Sequence, residues 1–213
     1  MRAVIFVNGT IDNYSQCASW LHPDDYLIAA DGGARHCAAM GILPAVLVGD
    51  LDSIEADLLA EYAGAGVTIE RHPSRKDETD LELAVRRAVA DGATEILLLG
   101  ALGGRLDQTI ANLLLPARAD WPLPIRLADG GQLAQIMRGG ETATLHGAPG
   151  DTVSVVPLSA EVTGISYSGL EYPLVNATLR LGSTQGVSNR MAAERATIRI
   201  ASGILLVVQE SEG

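Results

Sequence analysis

Asp50-Leu51-Asp52 sets two carboxylates two residues apart, directly after the apolar run Ala45–Val48. In such a turn only one of them can cap a helix. Asp77 and Asp80 stand three apart at the start of the segment striped by Leu81, Ala84, Val85, Ala88 and Val89. They therefore share a helix face near its positive end. Asn8, Asp31 and Asp107 also follow short apolar runs. Each acid taken singly reads as a cap. As a set converging on one edge they would repel one another unless a cation neutralised them. Oxygen ligands without His or Cys suit Mg²⁺, a hard octahedral ion that usually brings phosphate with it.

Two glycine turns supply the complement. Asp31-Gly32-Gly33 and Gly103-Gly104-Arg105 each follow an apolar run and precede a helical pattern. Backbone N–H groups at such turns can cradle a phosphate, and Arg105 can fork onto its oxygens. Neither turn matches the Walker or dinucleotide fingerprints. His22, His36, His72 and His146 have no metal-ligand spacing and read as structural or surface residues. The loop His72–Lys76 carries two cations within reach of a phosphate, although a solvated loop is the plainer reading. Gly182–Asn189, dense in small polar residues, reads by default as a hairpin connection.

The elements that must position these residues change character near residue 130. Before it, Ala3–Val7, Tyr26–Ala30, Ala45–Val48, Val67–Glu70, Glu95–Leu99 and Ile125–Ala128 read as strands buried on both faces, with amphipathic segments between them. Strand–helix alternation predicts an open parallel sheet wrapped by helices, with its strand-terminal acids at one edge. After Asp129-Gly130-Gly131 the pattern turns to period two with Gly punctuation. Gln132–Met137, Thr142–His146, Thr152–Val156, Glu161–Ser166, Ala177–Leu181, Ala196–Ala201 and Ile204–Gln209 read as strands of an antiparallel β-sandwich. The predicted class is thus α/β over 1–130 followed by all-β over 131–213.

Composition narrows the partners. The 213 residues carry 26 Asp and Glu against 15 Lys and Arg, a formal charge of −11. No basic surplus exists to neutralise nucleic acid or an anionic membrane. A phosphate ligand then needs a divalent ion between it and the acids. Two cysteines, Cys17 and Cys37, are too few for a disulfide scaffold. No apolar run approaches the ~20 residues of a membrane helix, and no signal-type segment opens the sequence. A cytoplasmic location is expected.

The ordered set Asp31-Gly32-Gly33-Ala34, Gly49-Asp50-Leu51-Asp52-Ser53, Lys76-Asp77-Glu78-Thr79-Asp80, Gly103-Gly104-Arg105-Leu106-Asp107 and Gly186-Val187-Ser188-Asn189 closely resembles the thiamine pyrophosphokinases (thiamine diphosphokinases), over essentially the whole chain. The resemblance implies transfer of the pyrophosphoryl group of ATP to the hydroxyethyl oxygen of thiamine, giving thiamine diphosphate and AMP. It implies Mg²⁺ on Asp50, Asp52 and Asp80. It places ATP against Asp31, Gly32, Gly33, Lys76, Asp77, Thr79, Gly103, Gly104, Arg105 and Asp107. Thiamine would meet Ser183, Thr184, Ser188 and Asn189, and one carboxylate, Asp52 or Asp80, would take the hydroxyl proton. A homodimer with sites shared between subunits is implied as well. Gln108 stands where the family often has His, and Arg190 where it often has Glu. Both tryptophans, Trp20 and Trp121, precede the β region, leaving Tyr167 or Tyr172 as the aromatic partner of thiamine.

Two other readings fit parts of the pattern. Val46–Ser53 superficially looks like the strand-terminal D-x-D of haloacid dehalogenase phosphatases, without the later Lys and Asp-Asp pair. A nucleotide or thiamine sensor on the same fold would have little need of so many acids.

Overall fold

The computed structural model describes residues 1–211. The chain divides into two compact units, Met1–Gly130 and Gly131–Gly213.

The first unit contains six strands: β1 (Arg2–Phe6), β2 (Tyr26–Ala30), β3 (Val46–Gly49), β4 (Thr68–Arg71), β5 (Glu95–Leu99) and β6 (Ile125–Asp129). Their order is β6-β5-β1-β2-β3-β4, every pairing parallel. Strand order reverses at β1, the place where open α/β sheets leave a crevice at their carboxyl ends. β1, β3 and β5 are nearly continuous buried apolar runs, as strands covered on both faces must be. β4 differs from its expected burial, with Thr68 and Arg71 exposed and Ile69 and Glu70 only half-buried, because it is the edge strand with a neighbour on one side only.

Five helices connect the strands: α1 (Tyr14–Ala18), α2 (Ala34–Ala39), α3 (Ala56–Gly64), α4 (Asp80–Ala90) and α5 (Leu106–Leu114). α4 starts where its sequence dictates. The Thr79 hydroxyl accepts the Glu82 N–H at 3.2 Å, with Asp80 and Glu82 in the first turn against the helix dipole. Leu81, Ala84, Val85 and Ala88 are its buried stripe. α5 gives way to a 3₁₀ turn over Leu115–Ala117, where Pro116 lacks the N–H that a longer helix needs.

The second unit is antiparallel. One sheet runs β12-β9-β14-β7 and the other β11-β10-β13-β8. The strands are β7 (Gln132–Arg138), β8 (Thr142–His146), β9 (Thr152–Pro157), β10 (Glu161–Ser168), β11 (Ala177–Arg180), β12 (Asn189–Arg190), β13 (Arg195–Arg199) and β14 (Ile204–Glu210). Met137, Val153, Val155, Leu205 and Val207 from one sheet join Leu145, Ile165, Leu179 and Ile198 from the other in a single apolar core. This is the expected sandwich. Tyr167, in phase with Ile165 along β10, belongs to that core, its hydroxyl buried without a hydrogen-bond partner.

Candidate active site

A cleft of about 370 Å³ opens in the first unit, lined by the residues that follow β1, β2, β3 and β5 and by the starts of α4 and α5. The loop after β3 shows how local sequence builds it. Leu51 adopts a left-handed φ of +67° and buries its side chain, so its two neighbours are left to line the cleft. The turn is closed by the Asp52 N–H, which donates to Asp50 Oδ1 at 3.3 Å, while the Ser53 hydroxyl donates to Asp52 Oδ1 at 3.1 Å. Burial works against ionisation of Asp50. The Asp52 amide, the Ser74 hydroxyl and the Lys76 charge outweigh it and hold the carboxyl below its ordinary pKa.

Asp31 follows β2 with a φ of +45° and is only 7 % exposed. One carboxylate oxygen each from Asp31, Asp50 and Asp52 lies within 4.8 Å of the other two. Asp31 Oδ1 has no hydrogen-bond partner, although buried carboxylate oxygens are almost always satisfied. Asp80 lines the same cleft. Its Oδ1 lies 2.8 Å from Lys76 Nζ, a charge contact without hydrogen-bond geometry, and is otherwise unpartnered. Four acids therefore share one cleft, two of them with buried oxygens that nothing in the chain hydrogen-bonds. An all-oxygen set of this kind fits Mg²⁺ and suits no soft metal.

The glycine turns divide into two roles. Gly103, with φ +84°, lines the cleft, and a side chain there would strike the Thr10 hydroxyl. Gly104 also has a left-handed φ but meets nothing within 4 Å. Gly32 and Gly33 are buried and do not line the cleft. A Cβ on Gly32 would collide with the Asn8 amide, and one on Gly33 with the Phe6 carbonyl, so their bareness lets the chain after β2 pass β1. Arg105 reaches the cleft and holds Asp107 through two bonds, Nε to Oδ1 at 3.1 Å and Nη2 to Oδ2 at 2.6 Å. Asp107 is thereby kept below its usual pKa, chiefly by that bond, yet both side chains are exposed and the pair is free to open to a phosphate.

Of the residues singled out from sequence, Asp31, Asp50, Asp52, Thr79, Asp80, Gly103 and Arg105 come together here. Lys76 touches the cleft through Asp80, whereas Asp77 is not among its lining residues. Gly9, Ser53, Gln108 and Asn112 line it without having been expected. Arg105, Gln108 and Asn112 fall at i, i+3 and i+7 along α5, so helical spacing from Arg105 was the signal for the last two. Asn112 is buried and donates to the Ala101 carbonyl at 2.8 Å, tying α5 to the β5 loop.

Ser183, Thr184, Ser188 and Asn189 lie together between β11 and the start of β12 in the second unit. The Ser183 hydroxyl accepts the Gln185 N–H, and the Ser188 N–H donates to the Ser154 hydroxyl at 3.0 Å. Asn189 is buried, with its Oδ1 fully engaged and one of its two Nδ2 hydrogens bonded. Its Oδ1 accepts the N–H groups of Tyr172 at 3.0 Å and Arg190 at 2.8 Å, and its Nδ2 donates to the Tyr172 carbonyl at 2.8 Å. Tyr172 itself is 67 % exposed.

Residues 17–121 match the family profile "Thiamin pyrophosphokinase, catalytic domain" and residues 142–205 match "Thiamin pyrophosphokinase, vitamin B1 binding domain". The thiamine pyrophosphokinase of Bacillus subtilis is 30% identical over 186 residues, covering 87% of each chain. The chain belongs to the thiamine pyrophosphokinase family. Its fold agrees. A crystal structure of a Bacillus subtilis thiamine pyrophosphokinase superposes with a TM-score of 0.89 at 25% identity, covering 100% of both chains. That of Geobacillus thermodenitrificans gives 0.85 at 28% identity, over 100% of this chain and 99% of the other. Among the described residues no helix is long and apolar enough to cross a membrane.

Proposed function

We infer that the chain is a thiamine diphosphokinase, moving the pyrophosphoryl group of ATP to the hydroxyethyl oxygen of thiamine and releasing AMP. The observation that carries this, in a chain of this family, is the cleft in which Asp31, Asp50, Asp52 and Asp80 converge beside Gly103 and Arg105. The unpartnered Asp31 oxygen and the oxygen-only donor set fit Mg²⁺, with Asp31, Asp50 and Asp52 as the close group of holders and Asp80, ion-paired with Lys76, beside them in the cleft. When bound, Mg²⁺ draws charge from the phosphates and makes the β-phosphorus open to in-line attack. Arg105 steadies the phosphate chain, trading its Asp107 partner for phosphate oxygens with the same planar fork. Lys76 adds a positive charge at Asp80. Asp52, the most exposed of the acids, or Asp80 accepts the hydroxyl proton.

Thiamine is bound by the second unit through Ser183, Thr184 and Ser188, with Asn189 holding the Tyr172 segment in place. Tyr167 is shut in the core, so Tyr172 supplies the aromatic face. The working form is a homodimer whose sites draw on both subunits. Support comes from α5, which turns Arg105, Gln108 and Asn112 to the cleft and leaves Leu106, Ile110 and Leu114 exposed at i, i+4 and i+8. An apolar stripe of this kind on a helix calls for a partner surface. Cys17 and Cys37 are buried free thiols, which suits the reducing cytoplasm in which we place the reaction.

Incubation with ATP, Mg²⁺ and thiamine followed by product identification tests the reading. Thiamine diphosphate and AMP should appear in equal amounts, and a chelator should stop the reaction. ADP formed in step with thiamine monophosphate would refute pyrophosphoryl transfer.

A further inference from the structure

Gly9 lines the cleft, yet it has no side chain by which the fold can hold it. None would fit, since a Cβ there would strike the carbonyls of Gly100 and Leu102. Hydrogen bonds hold Gly9 through both its N–H and its carbonyl. Its N–H donates to the Gly100 carbonyl at 2.7 Å, and the next N–H, of Thr10, donates to the Leu102 carbonyl at 2.7 Å. Its own carbonyl takes two donors, Arg35 Nη2 at 2.6 Å and the ring of His36 at 3.1 Å.

His36 is 3 % exposed, and both of its ring nitrogens are engaged. A carbonyl can only accept, so Nε2 carries the proton that meets Gly9. Nδ1 of the neutral ring is then an acceptor, and the Tyr14 hydroxyl donates to it at 2.9 Å. Burial is the largest influence on this ring and depresses its pKa. The Gly9 carbonyl opposes the shift and the Arg35 charge adds to it. A buried imidazole is a costly way to fill space that an apolar side chain would fill better. What it supplies is a directed donor at a fixed distance.

We propose that Tyr14 and His36 are positioning residues for the phosphate end of the cleft: Tyr14 fixes the tautomer of His36, and His36 grips the Gly9 carbonyl. Through Gly9 the pair sets the level of Asn8 and of the loop from Gly100 to Arg105. Neither residue lines the cleft itself. The proposal rests on the cleft being the nucleotide site.

Four variants decide it: Tyr14→Phe, His36→Asn, His36→Gln and, as a check on the site itself, Asp52→Asn. Each is assayed for kcat, for the separate KM values of MgATP and thiamine, and for its thermal midpoint. Glutamine places an amide nitrogen near the position of ring Nε2, whereas asparagine reaches only as far as Nδ1. His36→Asn should raise the KM for MgATP about tenfold and leave that for thiamine within about twofold, the scale of one lost buried hydrogen bond. His36→Gln should recover most of the loss, and Tyr14→Phe should raise the MgATP KM about threefold. Equal KM values for His36→Asn and His36→Gln, with only the midpoint lowered, would make His36 a structural filler and overturn the proposal. If His36→Asn does not fold, Tyr14→Phe decides, since it removes a single oxygen: an unchanged MgATP KM overturns the relay. Full activity in Asp52→Asn would refute the nucleotide cleft and the relay with it. Loss of activity there, beside unaltered His36 variants, would refute the relay alone.

Discussion

Replacing Asp31 by asparagine should make the metal-free protein more stable and the enzyme nearly inert. The carboxylate oxygens of Asp31 and Asp50 come within 4.8 Å of each other, and Asp52 makes the third of the group. Two unit charges at that separation repel by about 1 kcal/mol at the dielectric of water, and the Lys76 charge that acts on Asp50 offsets part of this. Asparagine removes one charge while keeping the shape. It is also the substitution the backbone accepts best, because Asn tolerates the left-handed φ of +45° found at Asp31, whereas alanine would add strain. A gain of up to about 1 kcal/mol corresponds to roughly 2–4 °C in the unfolding midpoint at this size. Thermal melts in a chelator, at low and high salt, measure it, and the gain should shrink as salt screens the repulsion. With Mg²⁺ and ATP the order should invert. The parent is stabilised by its ligands, the variant much less so, and turnover falls by roughly 10²-fold or more, the scale of losing one preorganised electrostatic partner. A variant that melts below the parent in chelator would refute the crowding of these acids. One that melts higher but turns over normally would remove Asp31 from the metal site.

The two glycine turns should respond differently to a single methyl group. Gly33→Ala drives a Cβ into the Phe6 carbonyl and should abolish folding, seen as loss of the cooperative melt. Gly104→Ala meets nothing within 4 Å and should cost only its left-handed strain, about 1 kcal/mol, leaving a folded and active protein. Subunits carrying Asp52→Asn, mixed with subunits carrying Tyr172→Ala and reassociated, should recover roughly a quarter of parental activity, since half the dimers are mixed and each holds one intact site. No recovery, where parental chains treated alike regain theirs, would place each site within one chain.

The architecture was legible because two periodicities are written plainly. Runs such as Tyr26–Ala30 and Glu95–Leu99 coincide with β2 and β5, and the Leu81 stripe is the buried face of α4. Burial was less legible than existence. Thr68–Arg71 has the strand pattern, but nothing in four residues announces that it will lie at the sheet edge. β12 was missed because two residues, Asn189 and Arg190, carry no period at all. Tyr167 could have been assigned to the core from sequence, since it stands two residues from Ile165 on one strand and so shares its face.

The site was legible as a set of acids and illegible in its division of labour. Parallel topology alone puts Asp31, Asp50, Asp52 and Asp80 at one edge, so recognising the sheet already gathers them. Which of their oxygens come close together depends on backbone twist. The left-handed residues Asp31 and Leu51 bring the oxygens of Asp31, Asp50 and Asp52 together, and no spacing rule encodes a positive φ at a residue other than glycine. The glycines hide their purpose for a related reason. A missing side chain looks the same in sequence whether it makes room for a phosphate, as Gly103 can, or for the chain's own carbonyl, as Gly33 does. Asn189 is the same ambiguity in polar form. Its amide suits a thiamine pyrimidine and suits a backbone equally well, and the fold engages its oxygen and one of its two N–H donors on Tyr172 and Arg190. On the proposed reading its effect on thiamine runs through the Tyr172 segment, so the conservative Asn189→Asp, which loses the Nδ2 bond to the Tyr172 carbonyl, should weaken thiamine binding while leaving the KM for ATP untouched.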